Sequence, residues 1–151
     1  MRRKRSTKNK KSPTKALTIR QPWAELILKG RKPFDLRSWR THYRGPLVIH
    51  AAARVDSEDA RLLGMNPEKL PISCFVGVAT LQDVRPFTRA DARLLKKKRA
   101  HLGSWQPNYF SWVLKKPRRI SSPFKAKGRL GLFKVPRGLK RRIAKLLSVG
   151  G

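Results

Sequence analysis

Lys32, Asp35 and Arg37 stand at a spacing that can read an anion. In the segment Lys32-Pro33-Phe34-Asp35-Leu36-Arg37, strand alternation puts Asp35 and Arg37 on one face, and Lys32 sits at the turn that leads in. An arginine donates two parallel hydrogen bonds to a phosphate or a base edge, and a carboxylate beside it holds its orientation. The same three side chains also fit a structural ion pair that closes the turn. Gln21 and Trp23 flank Pro22 just upstream. The amide suits a base edge. The indole offers a stacking face, worth about 1–3 kcal/mol in single-strand sites, although a tryptophan there also staples a helix to its core. Ser38 and Trp39 follow Arg37, and Trp39 shares the face of Asp35 and Arg37, as a second stacking candidate or as core.

Nucleophile and base candidates are scattered. Cleavage of RNA needs a base for the 2′-hydroxyl and an acid or cation for the leaving oxygen. Tyr43, His50, Lys32 and Ser111 are the available players, but no spacing joins them. His50 ends an apolar strand, where a lone histidine is more often a satisfied buried group. His42 and His101 fall in loop-like segments without an evident partner. Tyr109-Phe110-Ser111-Trp112 precedes Lys115, Lys116, Arg118 and Arg119, a pattern of aromatics beside cations that suits single-strand binding. One face of that strand is expected to be core, with Phe110 on it and Trp112 open to either role. Lys96 to Arg99 reads as a solvated helix end that complements the helix dipole.

The overall charge points the same way. The 151 residues carry 38 Lys and Arg against 8 Asp and Glu, a net +30. Eight of the cations lie in the first 15 residues, which leaves 30 against 8 on the other 136. The folded part is therefore basic in its own right. Such a chain repels itself unless polyanions or salt relieve it, and nucleic acid does so by releasing counterions. There is no run of about 18 apolar residues and hence no membrane span, and no apolar segment follows the basic N-terminus as a secretory signal would require. Cys74 is the sole cysteine, so no internal disulfide forms. Nothing has the spacing of zinc ligands, and no metal or cofactor is expected. The expected location is the cytoplasm, or the nucleus in a eukaryote, and the expected state a monomer.

Short strands with inserted helices must position these residues. Residues 1–15 read as a disordered basic arm. A strand spans Ala16 to Ile19. Pro22 opens a helix with Ala24, Ile27 and Leu28 as its apolar stripe, and Gly30 stops it. Strands follow at Pro33 to Trp39 and Leu47 to Ala52, then a short helix from Ser57 to Leu63. Cys74 to Val84 is the longest strand, and Gly77 marks a bulge or a close approach. Thr88 and Asp91 cap a helix reaching Lys98. Further strands are expected at Tyr109 to Leu114 and, one or two of them, within Pro123 to Val135. An amphipathic basic helix over Gly138 to Leu147 turns Ile143, Leu146 and Leu147 inward. The class is α+β, mainly β: a small, partly closed β-barrel with two or three peripheral helices, since closure protects strand edges.

From Leu17 onward the chain resembles the ASCH domain family, a branch of the PUA-like superfamily. The resemblance rests on Arg20-Gln21-Pro22-Trp23-Ala24, Ile27 to Lys32, Asp35 to Trp39, Tyr43-Arg44-Gly45 before Val48 to Ala51, and the closing Gly128-Arg129-Leu130-Gly131-Leu132-Phe133. It spans 16–136 and leaves 137–151 as a basic C-terminal helix and tail. It implies a PUA-like barrel with a cleft beside the first helix that binds RNA or another nucleic acid. It also implies an aromatic near the cleft at Trp112. Some bacterial members of the family cleave RNA, and a small subfamily deacetylates acetylcytidine. That subfamily uses a threonine nucleophile at the place of Asp35, three residues after a lysine matching Lys32. Asp35 cannot replace that hydroxyl. The expected binding set is Gln21, Trp23, Lys32, Asp35, Arg37, Ser38, Trp39 and Trp112. The expected function is reading a nucleotide, most readily of RNA or a single strand. The alternative is a metal-independent ribonuclease or a hydrolase acting on a modified nucleoside.

Overall fold

The computed structural model describes residues 13–150. The basic arm expected over residues 1–15 lies outside them except for its last three, of which Lys15 already belongs to a strand. The elements run β1 (Lys15–Gln21), α1 (Trp23–Leu28), β2 (Phe34–Arg37), β3 (Gly45–Val55), α2 (Ser57–Leu62), β4 (Cys74–Pro86), α3 (Arg89–Lys97), β5 (Phe110–Lys125), β6 (Leu132–Lys134) and α4 (Arg137–Gly150). The six strands form one sheet in the order β2-β5-β4-β3-β1-β6, with β1 and β3 parallel and the other neighbours antiparallel.

The expected barrel does not close. β2 and β6 each have a single neighbour and do not pair with one another. The reason lies in lengths. β6 covers only Lys15 to Leu17 of β1, which leaves Thr18 to Gln21 without a strand on that side. β2 curls round to this stretch, where the Arg37 side chain, not a backbone ladder, crosses to the Thr18 carbonyl at 2.8 Å.

A second difference concerns β5. A strand is expected at Tyr109 to Leu114 and one or two more within Pro123 to Val135; β5 instead runs unbroken from Phe110 to Lys125, through Lys115-Lys116-Pro117-Arg118-Arg119, and β6 follows it. Thr80 pairs with Lys115 and Val78 with Arg118, so Lys116 and Pro117 face Ala79 alone. Such a bulge needs no ladder donor from the proline, and Lys116 takes φ 51° there.

Both faces of β3 are buried over Leu47 to Ala51, which is apolar but for His50. Leu17, Ile19, Leu47, Ile49, Leu81 and Trp112 form the inner core with Ile27 and Leu28 of α1. Ala16, Val48, Phe75, Ile120 and Phe124 form the outer one, covered by Ile143 of α4 with Leu139 and Leu146 beside it. Leu147's side chain lies outside the described residues. A third cluster seats α3 on β2 and β5 through Phe34, Leu95, Ala100 and Val113.

The Thr88–Asp91 capping box forms as the sequence predicts. Asp91 also binds both Arg85 Nη atoms at 2.5 and 3.1 Å and accepts from the Ser111 hydroxyl at 3.0 Å. Burial would raise the Asp91 carboxyl, but Arg85, the Thr88 N–H and Ser111 together hold it below its usual range. Ser111, a possible catalytic hydroxyl by sequence, is thus wholly buried and serves this joint.

Gly77 marks both a bulge and a close approach. The β4 register shifts beside it, and a β-carbon there would overlap Leu28 Cδ2 and the Arg118 carbonyl oxygen. Because one obstacle is backbone, Gly77→Ala is expected to destabilise the fold by about 1–3 kcal/mol, read as a lower urea midpoint at unchanged slope. An unshifted midpoint would rule out the close approach of α1 to the sheet.

Candidate nucleic-acid interface

The site is built around the turn from α1 to β2. Gly30, at φ +78°, ends the helix, and the Arg31 and Lys32 N–H groups both return to the Leu26 carbonyl at 3.0 and 3.1 Å. This folds Lys32 back under the helix. Its ammonium is buried, donates to the Phe34 carbonyl at 2.7 Å and lies 5.8 Å from the Trp23 ring centroid. Burial pushes the ammonium below its ordinary 10.5; Asp35 pulls it back up, and Arg37 adds to the lowering.

Asp35 and Arg37 share a face of β2, as alternation predicts. Arg37 Nε donates to Asp35 Oδ2 at 2.7 Å, while Nη2 is the bridge to Thr18. The guanidinium carbon lies 5.9 Å from the centroids of both Trp39 and Trp112. With Nε and Nη2 both engaged and the two indoles close together on one side, Arg37 closes the seam and holds Asp35.

Trp23 is half-buried. Its Nε1 donates to Asp56 Oδ2 at 2.9 Å, and Asp56 also pairs with Arg20. The indole is thereby pinned with one face towards Lys32.

Two expected contacts turn inward. Gln21 is fully buried: Oε1 accepts from the Glu25 N–H at 2.9 Å, and Nε2 donates to the Pro71 carbonyl at 3.0 Å. It caps α1, whose preceding residue Pro22 offers no side-chain cap, and has no edge left for a base. Trp112 is also fully buried, with Nε1 on the Trp39 carbonyl at 3.1 Å and its ring edge-on to Trp39 at 4.7 Å. It cannot stack on a ligand, because the face it shares with Asp35 and Arg37's ladder partners is the core face. Ser38 is exposed beyond the end of β2, and Trp39 is half-buried against Trp112.

A cleft of about 190 Å³ brings together Trp23, Lys32, Asp35, Leu36 and His101. A second hollow of about 230 Å³ adjoins it, sharing Leu36 and His101 and continuing past Gly103 to Tyr109. His101 is the site residue that sequence reasoning missed. Arg31 delivers it: Nε and Nη2 donate to the carbonyls of Lys98 and Arg99 at 3.3 and 2.6 Å. This ties the end of α3 to the turn that carries Lys32. His101 Nε2 is buried without a hydrogen-bond partner among the described residues. Burial lowers its pKa from 6.5, the nearby Lys32 charge lowers it further, and a backbone bond with Ser104 partly restores it. Tyr43 and His50 do not reach this cleft; Tyr43 bonds the Pro46 carbonyl, and His50 lies on the outer face of the sheet.

Residues 17–124 match the family model of the ASCH domain. The chain belongs to the ASCH domain family. Human and mouse proteins named Activating signal cointegrator 1 are 28% and 27% identical to it over 131 residues. The match takes in 79% of this chain and 22% of theirs, so the chain spans about a fifth of the length of these curated relatives. A crystal structure of ASCH from Zymomonas mobilis superposes with a TM-score of 0.60 at 12% identity, over 90% of this chain and 96% of that one. The family fold thus persists where little sequence is shared. Among the described residues, no helix is long and apolar enough to cross a membrane.

A buried ammonium of lowered pKa binds fewer protons folded than unfolded. Its cost is full below the lowered folded value and fades as the pH rises towards 10.5. Lys32→Met removes that charge while Asp35 keeps Arg37. The variant is expected to be more stable than the parent by about 1 kcal/mol at neutral pH, with the gain shrinking as the unfolding titration is repeated at higher pH. A gain that grows with pH would contradict the buried charge.

Proposed function

We propose that this ASCH domain binds nucleic acid, reading one unstacked nucleotide of RNA or another single strand in the cleft beside α1. The reading is carried by the Lys32 ammonium: a buried cation with one protein acceptor, under a pinned and half-exposed indole. An anion or electron-rich base edge on Lys32 and Asp35, with a base on Trp23, would complete its bonding. A cleft this small takes a splayed nucleotide and not a duplex, whose bases stay stacked. Ser38 and Trp39, at the exposed end of β2, line the way out of the seam and can contact the next residue of the strand. Gln21, Arg37 and Trp112 act by holding the others in place.

Cleavage of RNA is a second reading, favoured by His101. An imidazole whose buried Nε2 has no partner among the described residues, lining the same cleft as an ammonium, can take the 2′-hydroxyl proton while Lys32 stabilises charge on the phosphate oxygens. The family's amide hydrolysis finds no nucleophile here, as Asp35 lacks a hydroxyl.

The test is fluorescence anisotropy of the full chain with a labelled single-stranded RNA across a salt series, followed by a gel of the RNA. Affinity is expected to fall steeply with salt. Trp23→Leu should weaken binding by about 1–3 kcal/mol without changing the salt slope, and Lys32→Met should weaken it while stabilising the protein. Parent-like binding by both variants would remove the cleft from the interface. RNA shortened by the parent and left intact by His101→Gln would establish the second reading.

A further inference from the structure

The loop between β5 and β6 is held unusually firmly for a segment so exposed. The Ala126 N–H donates to the Ser73 carbonyl at 3.1 Å, and the Ala126 carbonyl accepts from His50 Nε2 at 2.6 Å. Burial lowers the His50 pKa, and the Ala126 bond opposes it. With its proton on Nε2, His50 Nδ1 accepts from the Thr18 hydroxyl at 3.2 Å. Gly128 lies directly on this pair: a β-carbon there would come within 2.7 Å of Thr18 Oγ1 and 2.8 Å of His50 Cε1. Only glycine lets the loop sit this low on β1 and β3.

What the latched loop presents is a set of groups that no fold requirement explains. Leu130 at its tip is 98% exposed. Lys127 and Arg129 precede it in the loop, both exposed, and neither forms an ion pair among the described residues. Beside the loop lie two hollows of about 500 and 470 Å³ that share Ala126, Lys127 and Arg129. Together they form one trough along the loop: its first part runs between the loop and the start of α4, with Phe75, Phe133 and Lys134 in its lining, and its second lies over Thr18 and His50 of β1 and β3. No carboxylate lines either hollow. A positive, partly apolar trough with a projecting leucine complements a sugar–phosphate chain with an unstacked base.

We propose that this trough is a second nucleic-acid contact, outside the cleft, in which Lys127, Arg129 and Lys134 hold phosphates of a single strand and Leu130 packs against one of its bases. The proposal rests on the nucleic-acid reading above and extends it to a separate face of the sheet. Single-strand binding is favoured over an anionic membrane because the cations line a recessed trough instead of standing around the leucine on a flat face.

The test uses the full chain and an oligouridylate carrying 2-aminopurine at successive positions. Lys127→Ala with Arg129→Ala is expected to lower affinity several-fold. It should also reduce the slope of log K against log salt by about 1.4, the share of two phosphate contacts on a single strand. Leu130→Ala changes a fully exposed side chain and is expected to fold as the parent does. It should abolish the fluorescence change at one 2-aminopurine position while leaving the salt slope intact. The trough is overturned if both variants bind with parental affinity, slope and fluorescence while Trp23→Leu weakens binding; the cleft reading then survives alone. If the parent itself does not bind, the nucleic-acid reading falls and the trough with it. If Leu130→Ala keeps RNA binding but loses co-sedimentation with phosphatidylglycerol vesicles, the loop is a membrane contact and the proposal fails.

Discussion

The Arg37 guanidinium occupies the place where a barrel would need a strand pair. β6 is too short to cover the second half of β1, and the curled sheet brings β2 to that gap without a backbone ladder. A planar cation with donors in a fixed fork suits the gap: one nitrogen to Asp35, another to the Thr18 carbonyl, and the Trp39 and Trp112 rings both 5.9 Å from its central carbon. The consequence is a seam closed by a side chain. Asp35 and Lys32 are held at the edge of an opening, where strand pairing would have sealed them into a core.

The acidic residues explain why so basic a chain can fold. All eight lie among the described residues, and five of them engage arginines. These sit at joints. Asp56 fixes Trp23, Asp91 ties β4, β5 and α3 together, Asp35 holds Arg37, and Glu25 pairs α1 with Arg119 of β5. Carboxylates placed at these joints leave cations in large excess over acids elsewhere in the chain. The result is a positive field around a fold whose own contacts are locally neutral, as steering of a polyanion requires.

Thr18 lies between the two candidate surfaces. Its carbonyl accepts from Arg37, which closes the cleft side, and its hydroxyl bonds His50, which latches the loop on the trough side. Both surfaces therefore depend on one residue in the uncovered half of β1. Leu17 and Ile19 to either side of it point into the inner core and keep it in place.

Much of this architecture is legible in local sequence. The period-two pattern of β2 puts Asp35 with Arg37, the Thr88–Asp91 spacing forms its capping box, Gly77 marks a close approach, and Ile143 turns α4 inward. The first two are set by neighbours a few residues away, whereas what Gly77 approaches, Leu28 and the Arg118 carbonyl, is distant in sequence. Strand alternation also says that Trp112 shares a face with its neighbours' partners, but not whether that face is covered. Gln21 and Trp112 look like ligand contacts by residue type and are buried because Pro71 and Trp39, distant in sequence, offer them acceptors. His101 reaches Lys32 only because Arg31 grips the carbonyls at the end of α3. Pro117 sits inside β5 only because Ala79 faces it across a bulge. Residue types and local periods determined the elements, their faces and the charge that a partner must answer. Which face is buried, which polar group is satisfied and whether the sheet closes depended on contacts between distant segments, which local periodicity does not encode.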